Sequence, residues 1–247
     1  MNLQSFLDML LEVELSQHGF SMKDEHGRIT KLKELLGLIN RGLMDLHTRF
    51  LIKKGDLYLT VDTDEKTRYD ISDKDIVDFA YDVSDPDNVL TEDLPLSVIK
   101  ILEVWRENGK RIHLNTIHRY MGCNTVSNDE VRMLDKTTLK FHDVKSRYYI
   151  SYHKGPKLIQ IPDNLDLLVL EDVEIDLTLE YMDALIYYVC SRLLAINPPM
   201  EGYAAPYSPS VTYAKQFLEE CQRLDDLNLE IDGTGNTAHR FYDSTFP

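Results

Sequence analysis

The chain has 247 residues and is 43% hydrophobic, enough apolar material to bury the core of one elaborated domain or two small ones. Its 42 acidic and 27 basic residues give a formal net charge of −15, which disfavours sequence-specific DNA binding because such binding needs cations for the phosphates. No apolar run reaches the roughly 18 residues of a membrane-spanning helix, so no span is expected.

The acidic balance has three interpretations. The surface could line a channel through which DNA slides without sticking, it could mimic DNA and occupy a basic partner, or it could simply keep the protein soluble. The N-terminal sequence MNLQSFLDMLLEVEL carries acidic residues where a signal peptide needs basic ones, so secretion is not expected. Three widely spaced cysteines agree with a reducing cytosol.

Two helices are predicted near the N-terminus. Apolar residues recur at helical spacing from Leu3 to Val13, and Gly19 is a typical helix stop. A longer helix is predicted from Ile29 to Phe50, although it contains Gly37 and Gly42, which each cost roughly 1 kcal/mol against alanine. Glycines inside a long helix indicate a close approach by another helix or subunit, unless they have no structural role.

Two further helices are predicted near the C-terminus. The first buries a face that begins at Leu179, with Asp176 or Thr178 as the N-cap, and it ends before Asn197. The second begins with Ser208 as the N-cap and Pro209 as the first helical residue. The apolar positions of the two stripes are Leu179, Met182, Leu185, Ile186, Val189, Cys190 and Leu193 in the first, and Val211, Ala214, Phe217, Leu218, Cys221 and Leu224 in the second.

The middle of the chain changes to the alternating period of strands. Residues 57–61 and 69–71 flank an acidic turn and predict an edge hairpin. A second hairpin is predicted around Asn108 and Gly109, because Asn-Gly accepts the positive φ angles of a tight turn. An exposed loop is predicted for residues 118–136. The remaining strands are predicted at residues 97–106, 111–114, 138–142, 147–153 and 157–161, which gives a β domain of roughly five to seven strands.

The last residues, 230–247, lack a helix or strand pattern and end in a cluster of aromatic side chains. Such a segment cannot bury its apolar residues alone, so we expect it to be a docking tail that contacts a partner chain or folds back on the parent domain. The loop before the last helix combines prolines with two tyrosines, a composition suited to contacts. The predicted protein-interface residues are Tyr203, Tyr207, Phe241, Tyr242, Phe246 and Pro247, and the helix from Ile29 to Phe50 is a further candidate.

Catalytic and metal-binding patterns are not found in the sequence. The eight histidines lack the spacing of metal ligands, and Cys123 has no paired cysteine nearby. The acidic clusters lack the glycine and distal glutamate of a calcium loop, and Gly233 to Gly235 lacks the strand and lysine of a phosphate-binding loop. We therefore expect a protein that is not an enzyme and has no catalytic residues, no metal and no cofactor.

The order of these elements and their local sequences resemble a known class of virion proteins. The chain runs through INRGLMDLHTRF, KKGDLYLTV, ILEVWRENGKRIHLN, YYISYHKGPKLIQIP, SRLLAINPP and FLEECQRLDDLNLEIDGTG. Over nearly its whole length this order is similar to that of the head-to-tail connector (adaptor) proteins of tailed bacteriophages, especially short-tailed phages. The similar segments belong to structural elements and not to an active site, so the resemblance transfers no catalytic positions.

The resemblance implies an α+β fold and a structural role. The helical bundle would comprise residues 1–53 and 177–229, the inserted antiparallel β domain residues 54–176, and the extended tail residues 230–247. The protein would form a homo-oligomeric ring, commonly of about twelve copies, between the portal protein and the tail tube or nozzle protein. It would line the DNA channel at the head–tail junction of the virion, without specific DNA binding or membrane contact, after assembly in the host cytoplasm. The alternative is an acidic DNA-mimic or host-takeover inhibitor.

Overall fold

The protein is mixed helix and sheet, an α+β fold, in a computed structural model. The structure describes residues 1–18, 25–62, 66–72, 80–82, 98–112, 114, 131–141, 146–161, 169–196 and 208–227. The chain divides into two compact units. The helical unit contains Met1–Ile52 and Pro156–Glu230, and the sheet unit contains Lys53–Gly155. The prediction of a mixed helix and sheet fold is confirmed.

The helical unit has one core to which both ends of the chain contribute. Its helices are α1 (Leu3–Asp8), α2 (Glu25–Arg49), α3 (Met182–Ile196) and α4 (Pro209–Asp226). A π-helical segment, Met9–Leu15, and a 3₁₀ turn, Ser16–His18, continue α1. Nine of the fifteen residues of α3 are buried, and α3 packs against both α2 and α4, so it lies at the centre of this unit.

The two glycines of α2 have different surroundings. A Cβ atom on Gly42 would lie 2.6 Å from Leu185 Cδ1 and 2.9 Å from Tyr188 Cδ1, both on α3, whereas a Cβ on Gly37 would meet nothing within 4 Å. Real carbon atoms do not approach this closely without a shift of the neighbour. The predicted close helix approach is therefore confirmed at Gly42, where it occurs within the chain, and not at Gly37.

The buried faces of α3 and α4 differ in detail from the prediction. Leu179 lies in a 3₁₀ turn before α3 and is 71% exposed, and Leu218 of α4 is 58% exposed. On α4, Tyr213 is buried although the predicted stripe did not include it, so the buried positions of this helix follow one another at steps of about four residues along one side. Ser208 and Pro209 begin α4 as predicted, but the Ser208 hydroxyl pairs with that of Ser210 and makes no capping bond.

The predicted strand at residues 157–161 is wrong. The backbone groups of this segment that would pair with a neighbouring strand form hydrogen bonds with side chains. The Asn40 amide accepts from the Ile159 N–H at 2.8 Å and donates to the Ile159 carbonyl at 2.8 Å, and the Asp176 carboxylate accepts from the Lys157 N–H at 2.7 Å. Ile159 and Ile175 lie in the core of the helical unit. Residues 156–161 and 169–176 thus pack with the helices, and the boundary of the β-rich part falls at residue 155, not at 176.

Asn40 should be a strong stabiliser of this segment. In Asn40→Ala both hydrogen bonds of the side-chain amide are lost, and the partly buried Ile159 backbone is left with a donor and an acceptor that have no partner. We therefore expect a loss of about 1–3 kcal/mol in the free energy of unfolding. Asn40→Asp is the matched control, since its carboxylate still accepts from the N–H and only the bond to the carbonyl is lost. Urea unfolding measures both. An unchanged midpoint in Asn40→Ala would contradict the role.

The sheet unit holds two antiparallel sheets that share one apolar core. The five-stranded sheet has the order β3-β1-β8-β4-β5, and the three-stranded sheet has the order β2-β7-β6. The strands are β1 (Lys54–Val61), β2 (Arg68–Asp70), β3 (Ala80–Asp82), β4 (Val98–Arg106), β5 (Arg111–Ile112), β6 (Val131–Met133), β7 (Thr138–Phe141) and β8 (Ser146–Lys154).

Two sequence predictions in this unit need correction. The edge hairpin of β1 and β2 does not form, because β1 pairs with β3 on one side and β8 on the other while β2 pairs with β7 in the second sheet. The exposed loop predicted for residues 118–136 contains β6, whose Val131 is fully buried. A three-residue strand is too short to show a period in the sequence.

The β4–β5 hairpin forms as predicted, with a different turn. Gly109 has φ 77°, and its N–H donates to the Arg106 carbonyl at 2.9 Å while the Arg106 N–H donates to the Lys110 carbonyl at 3.0 Å. These bonds define a three-residue loop with glycine in the left-handed position, in place of the two-residue turn expected for Asn-Gly. Next to it, Trp105 donates through Nε1 to Glu103 at 3.3 Å, and the Arg111 guanidinium lies 5.8 Å from its ring.

Candidate interaction surfaces

The predicted interface residues cannot be placed by the structure. Tyr203, Tyr207, Phe241, Tyr242, Phe246 and Pro247 lie outside the described residues, as does the predicted docking tail. The helix predicted as a further contact is α2, whose inner face is buried and whose Arg41 and Met44 are exposed.

The titratable groups of the helical core form structural contacts. His47 is fully buried, with its Nε2 3.1 Å from the Asp176 carbonyl. Within the described ranges, no group of three or more histidine, cysteine, aspartate or glutamate side chains is placed to hold a metal ion.

The cysteines of the helical core are unsuited to nucleophilic chemistry. Burial raises the pKa of Cys190 to about 12 and that of Cys221 to about 11. Because the thiolate is the reactive form, both side chains are protonated and inert near neutral pH. They act as small apolar fillers, as their helical spacing predicts. Cys123 lies outside the described residues.

A partly buried hydrogen bond links the N-terminal segment to α4. The Tyr213 hydroxyl donates to Glu14 Oε2 at 2.8 Å, and the Tyr213 ring lies 5.9 Å from that of His18 in an edge-to-face arrangement. Burial, together with this bond to a carboxylate, raises the pKa of Tyr213 well above its usual range. The phenol is therefore neutral at physiological pH and holds the π-helical segment against α4.

Exposed apolar side chains are concentrated on the helical unit. Of the ten large hydrophobic residues that are exposed among the described ones, only Leu134 belongs to the sheet unit. Scattered exposed leucines are ordinary on a monomer, but among the described residues this distribution gives those of the helical unit the greater capacity for apolar contact. Its members are Val13, Met44, Leu158, Ile161, Val169, Leu179, Ile196, Leu218 and Leu227.

Three cations lie side by side on the outer face of the three-stranded sheet. The register places Arg68 of β2 opposite Lys140 of β7, and Lys140 opposite Arg132 of β6. We call these three residues the cationic row. At the usual strand spacing the row is about 10 Å wide. Arg68 and Arg132 are exposed and Lys140 is half-buried, while the alternate residues Tyr69 and Leu139 are buried in the core.

The carboxylates of this sheet are held by other donors. Asp70, on the same face of β2 as Arg68, accepts from the Ser72 N–H at 3.0 Å and the Ser72 hydroxyl at 2.6 Å. Asp135 accepts from the Thr137 N–H at 2.9 Å and the Thr138 N–H at 2.8 Å. Within the described part of the chain, no member of the cationic row forms an ion pair. Like charges opposite one another destabilise a sheet, so the row has a cost for folding.

These two carboxylates should make the sheet unit sensitive to acid. Burial acts to raise the pKa of Asp70, but hydrogen bonds from Ser72 and Thr137 outweigh it and lower the pKa. Bonds from the Thr137 and Thr138 amides lower the pKa of Asp135. A lowered pKa in the folded state contributes stability above the unfolded pKa of about 3.9, and this stability is lost as pH falls through the folded value.

We therefore expect the urea midpoint of the sheet unit to fall below about pH 4. Thr137→Ala removes a hydroxyl donor close to both carboxylates, so its stability should begin to fall at higher pH than in the wild type. Amide hydrogen exchange in β6 and β7 follows the change. Identical pH profiles for the two proteins would contradict the role of these bonds.

The helical unit carries most of the negative charge. Met1–Ile52 and Pro156–Glu230 contain 21 acidic and 10 basic residues. The described residues of the sheet unit instead contain 13 basic and seven acidic residues. Over its full sequence Lys53–Gly155 contains 19 acidic and 16 basic residues, so both units are net acidic and only the described part of the sheet unit has an excess of basic residues.

Residues 169–183 form the most acidic described part of the helical unit, and we call them the acidic segment. No lysine, arginine or histidine lies between Lys157 and Arg192. The segment is fixed to the N-terminus, since the Leu3 N–H donates to the Val173 carbonyl at 2.7 Å and the Ile175 N–H to that of Met1 at 3.0 Å. Its exposed side chains include Val169, Glu171, Asp172, Glu174, Leu179, Glu180 and Asp183.

Sequence reasoning missed the cationic row because its members are far apart in the chain. Only the register between β2, β7 and β6 brings residues 68, 140 and 132 together. The acidic segment, by contrast, is visible in the sequence as a long stretch without a cation. It was not recognised as a surface of the helical unit because the predicted β domain, residues 54–176, included most of its carboxylates.

No model of a known protein family matches this chain, and a search of curated proteins found no match either. Among the described residues, no helix is long and apolar enough to cross a membrane.

Proposed function

We propose that the protein is a structural component of a tailed-phage virion, a ring-forming connector between the portal protein and the tail. In this role the chain is not an enzyme and needs no cofactor. Its ring, of about twelve copies in the class that the sequence resembles, lets DNA pass without specific binding. The protein resides at the head–tail junction after assembly in the host cytoplasm.

The observation that carries the proposal is the division of the chain into two units. Helices from both ends of the chain share one core, and the strands come from the segment between them. This order supports the arrangement that the resemblance implies, a helical bundle from which a β domain projects as an insertion. Such a domain can form contacts in an assembly without disturbing the core of the bundle.

The charge distribution also supports the proposal. A surface that lines a DNA channel must not bind phosphates by releasing their counterions, and the excess of carboxylates on the helical unit meets that condition. Nine of the ten large apolar residues that are exposed in the described part of the chain lie on the same unit, which suits contacts with neighbouring proteins.

Purified virions provide the test. Quantitative mass spectrometry should find the protein at a fixed ratio to the portal protein, and gold-labelled antibody should mark the head–tail junction in electron micrographs. Native mass measurement of the protein mixed with portal should give a ring. Absence of the protein from mature particles would overturn the proposal.

A DNA-mimic inhibitor is the alternative, and the acidic segment favours it, since a mimic needs carboxylates on one rigid surface. This function requires a monomer that binds a basic host protein such as a nuclease. The same native mass measurement separates the two functions, because a mimic would stay monomeric in the presence of portal.

A further inference from the structure

We propose that the cationic row of one copy binds the acidic segment of the next copy, and that this contact joins neighbouring subunits of the ring. The inference rests on the proposed function and names the two surfaces that meet. Each copy presents both surfaces, so the contact is head-to-tail, and a series of such contacts closes into a ring when the rotation per subunit allows it.

The cationic row is built to meet an anionic surface. Arg68, Lys140 and Arg132 stand abreast on three paired strands, with no ion pair within the described residues, so their mutual repulsion is not relieved there. An opposing set of carboxylates would turn this repulsion into attraction. Leu134, the one large apolar residue that is exposed in the described part of the sheet unit, follows β6 and adds apolar area beside the row.

The acidic segment has matching properties. Glu171, Asp172 and Glu174 are exposed on a backbone that is hydrogen bonded to the N-terminus and anchored by the buried Ile175 and Leu177. A surface that is already ordered loses little conformational entropy on binding. The exposed Val169 and Leu179, at 56% and 71%, supply apolar contact area next to the charges.

A second copy of the chain suits the row better than nucleic acid does. Proteins that grip DNA neutralise about six to ten phosphates, whereas the row offers three cations on a molecule of net charge −15. A neighbouring copy, in contrast, brings a compact acidic surface of the same chain, and this pairing fixes the register between subunits.

Charge reversal provides the test. One variant carries Arg68→Glu, Arg132→Glu and Lys140→Glu, and the other carries Glu171→Lys, Asp172→Lys and Glu174→Lys. The control, Lys100→Glu with Lys110→Glu and Arg147→Glu, makes the same change in net charge as the first variant, at exposed positions of the other sheet. Self-association is measured by sedimentation at low ionic strength, and circular dichroism establishes that each variant is folded.

Wild-type protein and the control should self-associate, and added salt should weaken the association. Each reversed variant alone should have a dissociation constant at least about tenfold higher, because like charges now face each other. An equimolar mixture of the two variants should associate like the wild type, since every contact in an alternating ring then joins opposite charges. This recovery in the mixture cannot come from a variant that fails to fold.

Three results would overturn the inference. In sedimentation, these are a wild-type protein that stays monomeric at low salt and reversed variants that associate like the wild type. In a mobility-shift assay, it is binding of a DNA duplex by the wild type that is lost when the cationic row is reversed. Each leaves the proposed function open to its own test, since presence in the virion does not depend on which surfaces meet. Absence of the protein from virions, with the association intact, would instead remove the proposed function alone.

Discussion

Phe141→Ala should lower the free energy of unfolding of the sheet unit by about 3–5 kcal/mol. Phe141 is fully buried, and its ring centroid lies 4.7 Å from that of Tyr148 and 5.6 Å from that of Tyr69. It stands where β7 of the smaller sheet faces the core shared with the larger one. Alanine removes the ring and leaves a cavity that two neighbouring tyrosine rings cannot fill by simple rotation.

The loss should be confined to one unit. The apolar cluster around Phe141 is separate from the cluster of the helical unit, where Phe6 is also fully buried. Hydrogen exchange should therefore show lost protection in β1, β7 and β8 for Phe141→Ala, and in α1 and α3 for the matched variant Phe6→Ala. Phe141→Leu, which keeps most of the side-chain volume, should lose less. Equal loss of protection in both units after Phe141→Ala would contradict independent cores.

Gly42→Ala and Gly37→Ala should shift stability in opposite directions. Alanine is favoured over glycine inside a helix by about 1 kcal/mol, and Gly37→Ala should gain most of this because its new methyl group meets nothing within 4 Å. Gly42→Ala gains the same propensity but places a methyl group 2.6 Å from Leu185 Cδ1. Overpacking of this kind costs about 1–3 kcal/mol.

The comparison isolates packing from helix propensity, because both glycines lie in α2 and undergo the same substitution. Thermal unfolding of the helical unit should give a midpoint above the wild type for Gly37→Ala and below it for Gly42→Ala. The double variant Gly42→Ala with Leu185→Val provides room for the methyl group and should recover part of the loss. Two equal increases in the midpoint would show that α3 moves away from α2 at little cost.

Much of the fold could be predicted from the sequence because local rules decide it. The helical spacing of apolar residues gave α2, α3 and α4 close to their observed bounds, and Asn108 with Gly109 marked the β4–β5 hairpin. Both signals lie within a few residues of one another. Tertiary packing then decided the details, so Leu179 and Leu218 are exposed where a regular stripe would bury them.

The parts that could not be predicted depend on distant residues. Residues 157–161 alternate like a strand, yet Asn40, more than a hundred positions earlier, takes the place of the strand partner at Ile159. Likewise β2 pairs with β7 although β1 is its near neighbour in sequence. The cationic row exists only through that pairing, so no reading of a single stretch could have found it.

The hairpin that carries Trp105 has a practical consequence for every experiment on stability. Trp105 is the only tryptophan of the chain, and its indole is fixed on β4 between Glu103 and Arg111 in the sheet unit. Selective excitation of the indole therefore yields an emission signal from the sheet unit alone. A denaturation curve followed by that emission does not report on the helices. Circular dichroism at about 222 nm, the helical band, follows them, and the separation between the two curves would measure how strongly the two units unfold together.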